Sequence, residues 1–260
     1  MRRTLTVALS LALISVIASN GCKTVSRALN KSGTMFVVEV VQDGSYAAVS
    51  VERSVKVVQS RLNAVGIDGE VDQTGGNRFE VKIFGAADLE KVRRFLFTTY
   101  KLELKKVVSP PSPLFQTYPD QEKANAAASE EQQVLPYSER EVNDKPQYVI
   151  VEKVPIITGE EIRSAQAVSR TGSESDYQIS FTLKRDGAEK FGDWTAKNIN
   201  NYLAVVLDDK VASVAFIKSQ ISDAGEISGR FSKAMAEEIA LALNSGYMPW
   251  KLKVIEEKPF

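Results

Sequence analysis

Six of the nine prolines in this 260-residue chain fall between Ser109 and Gln147, and no glycine does. The same segment carries seven acidic and three basic side chains, and its phrase "EKANAAASEEQQ" is low in complexity. So little apolar area cannot offset the entropy lost on ordering, so residues 109–147 read as a Pro-rich acidic linker. The fold must then be built from the stretches on either side, and both are patterned.

Before the linker, "FVVEVV" (Phe36–Val41) reads as a strand, apolar on both faces as a central strand is. Ala48, Val51, Val55, Val58, Leu62 and Val65 recur at helical spacing, and Gly66 ends that helix. "GEVDQTGGNRFEVKIF" is two strands joined at Gly75-Gly76-Asn77. Leu89, Val92, Phe95 and Leu96 mark a second helix, and "YKLELKKVV" a strand with Leu102 and Leu104 on one face. The order β-α-β-β-α-β is the ferredoxin-like arrangement.

After the linker, "YVIVEKVPII" is extended. Thr158 and Glu161 in "ITGEEIRSAQA" form a capping box for a helix. "YQISFTL" alternates as a half-buried strand, and "GAEKFGDWTAKNIN" puts Phe191, Trp194 and Ile199 on one helical side. "LAVVLDDKVASVAF" is a hairpin, Ser232 caps a helix that Gly246 ends, and "WKLKVIEE" is a last strand. The fold class is α+β throughout.

The N-terminus is of another kind. Arg2 and Arg3 precede an apolar run from Leu5 to Ile17, too short for a comfortable transmembrane helix, and "ASNGC" follows. Residues 1–21 therefore read as a signal peptide. The single cysteine, Cys22, stands directly behind Gly21. Cleavage after Gly21 with acylation of Cys22 makes it a lipid anchor, and residues 22–34 a membrane tether. Conventional cleavage after Ala18 is the alternative. Lys23 follows the cysteine where no Asp does. By likeness to proteobacterial lipoprotein sorting, that favours the outer membrane.

The composition withholds most catalytic chemistry. There is no histidine, so no Ser-His-Asp or Cys-His arrangement and no imidazole metal ligand. No phosphate-binding glycine loop and no Ser-x-x-Lys occurs. Lys+Arg and Asp+Glu are both 33, so no global charge argues for a nucleic-acid partner. The adjacent carboxylates Asp208 and Asp209 raise the question of an acid pair. They sit at a hairpin tip, where neighbours in sequence diverge and face water, whereas paired catalytic carboxylates must converge. No enzyme activity, cofactor or metal site is expected, and the sequence names no peptide-binding residue.

Several ordered phrases resemble the first periplasmic domain of SecD, the accessory subunit of the Sec protein-export machinery. They are Thr158-Gly159-Glu160-Glu161-Ile162, Gly187-Ala188-Glu189-Lys190-Phe191 with Thr195, and Ala204 to Val211. Ile227-Ser228-Gly229-Arg230-Phe231 and Leu243 to Pro249 follow. Asp209 replaces the family's turn glycine. Upstream, "SVERSVKVVQSRLNAVGI" and "GGNRFEVKIFG" are similar to that family's phrases too. "LNKSGTMFVVEV" resembles its L-D-L-x-G-G motif, with Asn30 for the aspartate and Ser32 for the first glycine.

The resemblance implies a ferredoxin-like base, residues 35–108 completed by 250–260, into which an α+β head, 148–249, is inserted. It also implies a place at the periplasmic exit of the translocon, with unfolded secreted polypeptide or Sec components as partners. No apolar run after Ile17 is long enough to cross a membrane, so the family's proton-driven motor is expected to be missing. The rival reading is a structural envelope lipoprotein that kept the fold and lost the export role. Co-purification with Sec components separates the two.

Overall fold

Residues 32–41, 47–85, 87–110, 114–142, 145–172, 176–248 and 250–260 are described in a computed structural model of the chain. The signal-like run, Gly21 and Cys22 lie outside them.

The first sheet is set by alternation. In β1 (Gly33–Val41), Phe36, Val38 and Val40 are fully buried, and in β3 (Arg78–Phe84) so are Phe79, Val81 and Ile83. β2 (Gly69–Gly75) joins β3 through Gly75 and Gly76, both at positive φ, which glycine adopts without steric cost. α1 (Ala47–Ala64) and α2 (Leu89–Phe97) cover the buried face with Val51, Val58 and Leu62, and with Val92, Phe95 and Leu96. β13 (Lys251–Pro259) completes an antiparallel sheet of order β13-β1-β3-β2. This order is compatible with a ferredoxin-like base.

One expected strand is elsewhere. β4 (Leu102–Lys106), expected as the last strand of the base, pairs with β10 (Tyr202–Leu207) and β7 (Ile157–Thr158) of the head. Its own alternation explains this. Leu102 and Leu104 face the large core, while Glu103 and Lys105 turn to the opposite side of the sheet, where β10 carries Ala204 and Val206.

The Pro-rich segment is not an unstructured linker. It holds α3 (Gln121–Ala127) and β5 (Gln132–Val142), which pairs with β6 (Lys145–Glu152). Composition misleads because Pro119, Asp120 and Pro146 sit at element ends, and Pro136 is accommodated within β5. Asp120 caps α3 by accepting from Lys123 N at 2.8 Å, directly after Pro119, and Pro146 is the second residue of β6. A few apolar residues suffice for burial, Leu135 and Tyr137 among them.

β5 and β6 join β4, β10 and β11 (Lys210–Phe216) in a six-stranded sheet of order β6-β5-β11-β10-β4-β7. A bridge between Val107 and Val151, with Val108 N donating to Ile150 O at 2.9 Å, returns the end of β4 to β6. The sheet thereby curls shut around Val107, Leu135, Val149, Val151, Ala204, Val206 and Val211, in the manner of a small barrel filled by its own side chains. Phe115 packs into it against Tyr137 and Tyr202.

A third sheet, order β12-β9-β8, joins β8 (Ile162–Ser169), β9 (Tyr177–Leu183) and β12 (Ala224–Phe231). α4 (Arg185–Lys197) and α5 (Lys233–Asn244) pack with it. The Thr158/Glu161 capping box forms as expected, but it caps only a single 3-10 turn, Gly159–Glu161. The helix expected after it is β8, because Ile162 pairs with Leu183 and continues the sheet. Ile199 likewise lies past the end of α4 and is exposed, whereas Phe191 is buried. One buried cluster runs without a break from Phe36 and Leu96 to Ile179, Phe191 and Ile239, so base and head share a core.

Candidate functional site

The chain passes from base to head after α2 and returns after α5. Each passage contains a residue in the left-handed region, Tyr100 (φ 51) and Gly246 (φ 114). The first is unfavourable for a bulky side chain and persists because its surroundings over-determine it. The Arg61 guanidinium on α1 donates to the carbonyls of Phe95, Leu96, Thr98 and Thr99 at 3.2, 2.9, 2.5 and 3.2 Å. The first two are acceptors of the last turn of α2, and the others belong to its C-cap, Thr98, and the residue after it. Burial pushes the guanidinium down to about 10, with the Tyr100 and Asp208 side chains acting against that fall.

Asp208 holds the same passage from the head. Its carboxylate accepts from Lys101 N at 2.9 Å and from the Thr99 hydroxyl, and its own N–H donates to Lys101 O at 3.0 Å. Asp208 and Asp209 occupy the hairpin tip with φ of 47 and 61, the turn the sequence predicts. Their fates differ, however. Asp209 is exposed and only pairs with Lys101 at 3.7 Å, whereas Asp208 is half-buried against the passage. The expectation that both simply face water holds for one of them. The two carboxylates serve different partners, Asp208 the Thr99 hydroxyl and Lys101 N and Asp209 the Lys101 ammonium.

Glu238 on α5 is a third hold. It accepts from the Tyr100 hydroxyl and from Arg94 at 2.9 Å. Burial pushes the Glu238 carboxyl up, but these two hydrogen bonds and the Arg94 charge outweigh it, and the net value lies below the ordinary one. Burial, then the Glu238 contact, push the Tyr100 phenol well up.

Beside the return passage lies a cleft of about 360 Å³ between base and head. α1 supplies Arg53 and Val57, the 3-10 turn Gly159 and Glu160, and β8 Ile162 and Arg163. Lys184 stands before α4, and Leu243, Asn244, Gly246 and Tyr247 close the far side. The floor is apolar and the rim charged. Arg53 meets Glu160 at 3.2 Å and lies 5.9 Å over the Trp250 ring. Asn244 is fixed by a reciprocal pair with Ala165, accepting from its N–H and donating to its carbonyl, both at 2.8 Å.

The cleft is built where the family-like phrases meet. Tyr247 lays its ring on Gly159, where a Cβ would come within 2.7 Å of it. Gly187 lets α4 approach Glu161, whose Cβ would lie 2.6 Å from an added one. The Glu161 carboxylate accepts from Thr158 N at 2.9 Å and from its hydroxyl at 2.6 Å. Burial, then Glu103, Glu160 and Glu161, push the Tyr247 phenol well up, so it stays a donor. Arg53 is invisible to sequence reasoning. The only signal for Arg61 is a charge set among the buried positions Val57, Val58 and Leu62.

Among the described residues no three His, Cys, Asp or Glu side chains converge as metal ligands. Nor is any helix among them long and apolar enough to cross a membrane.

The family model for the SecDF P1 head subdomain matches residues 132–250. The chain is 33% identical over 210 residues to the protein translocase subunit SecD of Aquifex aeolicus, covering 80% of this chain and 39% of that protein. It is 30% identical over 218 residues to the subunit of the same name from Koribacter versatilis, covering 80% and 38%. The chain thus spans under two fifths of either relative's length. A solved SecDF in a super-membrane-facing form matches with a TM-score of 0.67 at 25% identity, over 87% of this chain and 30% of that one. A second structure, of the membrane component SecDF that enhances protein export, gives 0.65 at 25% identity over 85% of this chain and 98% of that one. Family model, relatives and solved structures agree with the phrase-by-phrase resemblance, and the chain is similar to the SecD proteins through their periplasmic P1 domain.

Proposed function

We propose that this chain is a periplasm-facing module of protein export that works by binding, with no catalysis and no proton-driven step of its own. The supporting observation is the cleft between base and head. Its apolar floor of Val57, Ile162 and Leu243 and its charged rim suit an extended polypeptide, whose side chains vary while its backbone offers constant polar groups. The relatives are subunits of a protein translocase, which makes a chain in transit the natural occupant. A photo-crosslinking residue at Leu243 should trap newly secreted chains in cells, while one at the exposed Gln73 should not. Equal trapping at both positions, or none at Leu243, overturns the reading.

Attachment belongs to the same proposal. Cys22 is the acylated residue after cleavage at Gly21, and the outer membrane is its favoured destination. A single acyl chain holds a protein only marginally, so anchoring depends on the multiple chains of a bacterial lipoprotein. Cys22→Ser should release the protein to the soluble fraction, and retention on the membrane overturns the anchor.

A further inference from the structure

The cleft carries a charge surplus that its polypeptide role does not require. Its lining holds three cations, Arg53, Arg163 and Lys184, and one carboxylate, Glu160. Arg53 is matched by Glu160, through one nitrogen. Arg163 is held only by a hydroxyl, donating to Thr182 Oγ1 at 3.3 Å, and Lys184 by a carbonyl, Glu160 O at 2.6 Å. Among the described residues neither has a carboxylate within salt-bridge distance. The other acids nearby are engaged. Glu161 is tied to Thr158 and lies 3.9 Å from Lys190, and Glu103 sits between Lys101 and Lys105 at 3.1 and 3.3 Å.

We propose that the cleft selects polypeptide segments carrying acidic side chains beside apolar ones, and that Glu160 is a tethered carboxylate which occupies Arg53 until such a segment displaces it. This rests on the polypeptide reading above. The geometry supports it in three ways. A planar guanidinium takes a carboxylate through two parallel hydrogen bonds, and Glu160 uses only one nitrogen, so a better-placed acid wins. Glu160 is itself more than half exposed on a single 3-10 turn, with little packing to hold its side chain in place. The Tyr247 phenol adds a neutral donor at the wall, and Val57, Ile162 and Leu243 receive the neighbouring aliphatic groups. The chain as a whole has no net charge, so this preference is local to the cleft and owes nothing to long-range steering.

The test uses the full chain and two fluorescent peptides of one apolar sequence, one with glutamates and one with glutamines at the same places. By anisotropy the glutamate peptide should bind about tenfold more tightly at low salt, with the gap narrowing as salt rises. Arg163→Gln with Lys184→Gln should narrow the gap, Arg53 supplying what remains, and leave the glutamine peptide unaffected. Glu160→Gln should tighten the glutamate peptide alone. All three side chains are exposed, so the variants should fold, which circular dichroism checks. Inorganic phosphate at equal ionic strength should not compete. Equal binding of the two peptides, a gap that the double variant leaves unchanged, or displacement by phosphate overturns acidic selection while the polypeptide reading stands. Failure of both peptides to bind overturns the two together.

Discussion

Arg61 offers the most demanding test of how base and head are joined. Replacing it with Met keeps an unbranched stem of similar bulk and removes the guanidinium. Four carbonyls then lose a charged donor. A buried acceptor left unmade costs about 1–3 kcal/mol, and those of Phe95 and Leu96 lie deepest. Against this stands the relief of a buried cation with no carboxylate within salt-bridge distance among the described residues, a burden of several kcal/mol. The Arg61 Nε–H also has no acceptor, so the native state is already short of one bond. The net expectation is a loss of about 3 kcal/mol, at the low end for breaking a buried charged contact. With an m-value of about 2–3 kcal/mol/M, the urea midpoint falls by about 1–1.5 M. Fluorescence of Trp194 and Trp250 reports the transition in the head and at the return passage. Arg61→Lys keeps the charge, loses the fork, and should cost about half as much. If the Met variant lies within about 0.5 kcal/mol of wild type, Arg61 is a passenger and the pinning argument fails.

Gly159→Ala drives a methyl to within 2.7 Å of the Tyr247 ring and should cost about 1–3 kcal/mol, an overpacking penalty that Tyr247→Ala in the same chain relieves in a thermal double-mutant cycle. Asp209→Gly should gain about 0.5 kcal/mol, because glycine accepts φ 61 freely and the ion pair that Asp209 makes with Lys101 is exposed and weak. Asp208→Ala should cost about 1–2 kcal/mol by urea titration, through the bonds from Lys101 N and the Thr99 hydroxyl. The Glu238 carboxyl lies below its ordinary value of 4.5, so its contribution is present above that pH and is lost as pH falls through the lower folded value. Stability of the wild type should therefore drop more steeply below about pH 4.5 than that of Glu238→Gln, measured as urea midpoints against pH.

Much of the fold is legible in the sequence because it is local. An apolar run marks β1, alternation marks β9, the glycine pair marks the β2–β3 hairpin, and Ser232 and Gly246 bracket α5 as their cap chemistry requires. The resemblance covers both halves for the same reason, since phrases such as Thr158-Gly159 and Gly187 encode close approaches that only glycine permits. What stays hidden is non-local. Counting prolines and acids cannot show that β5 finds β6 and the curled sheet as partners. The capping box is legible and the element after it is not, because pairing of Ile162 with Leu183 overrides a helix start. Arg53, Arg61 and Glu238 work through partners 34 or more residues away, a distance at which periodicity carries no signal.

The exchange of strands between base and head ties these observations together. β4 leaves the base to pair with β10, so the base sheet would end at β1 were it not for β13, which arrives after the whole head has been built. The base is therefore complete only when the head has folded and returned the chain, and the uninterrupted core says the same in terms of packing. The cleft lies beside that return, with Arg53 bridging to Glu160 on the head and to Trp250 just before the incoming strand. A segment that displaces Glu160 from Arg53 thus acts on one of the two places where the units are fastened, while Arg61, Asp208 and Glu238 hold the other. Binding in the cleft and the fastening of the head are linked through Arg53, and each must alter the free energy of the other by the same amount.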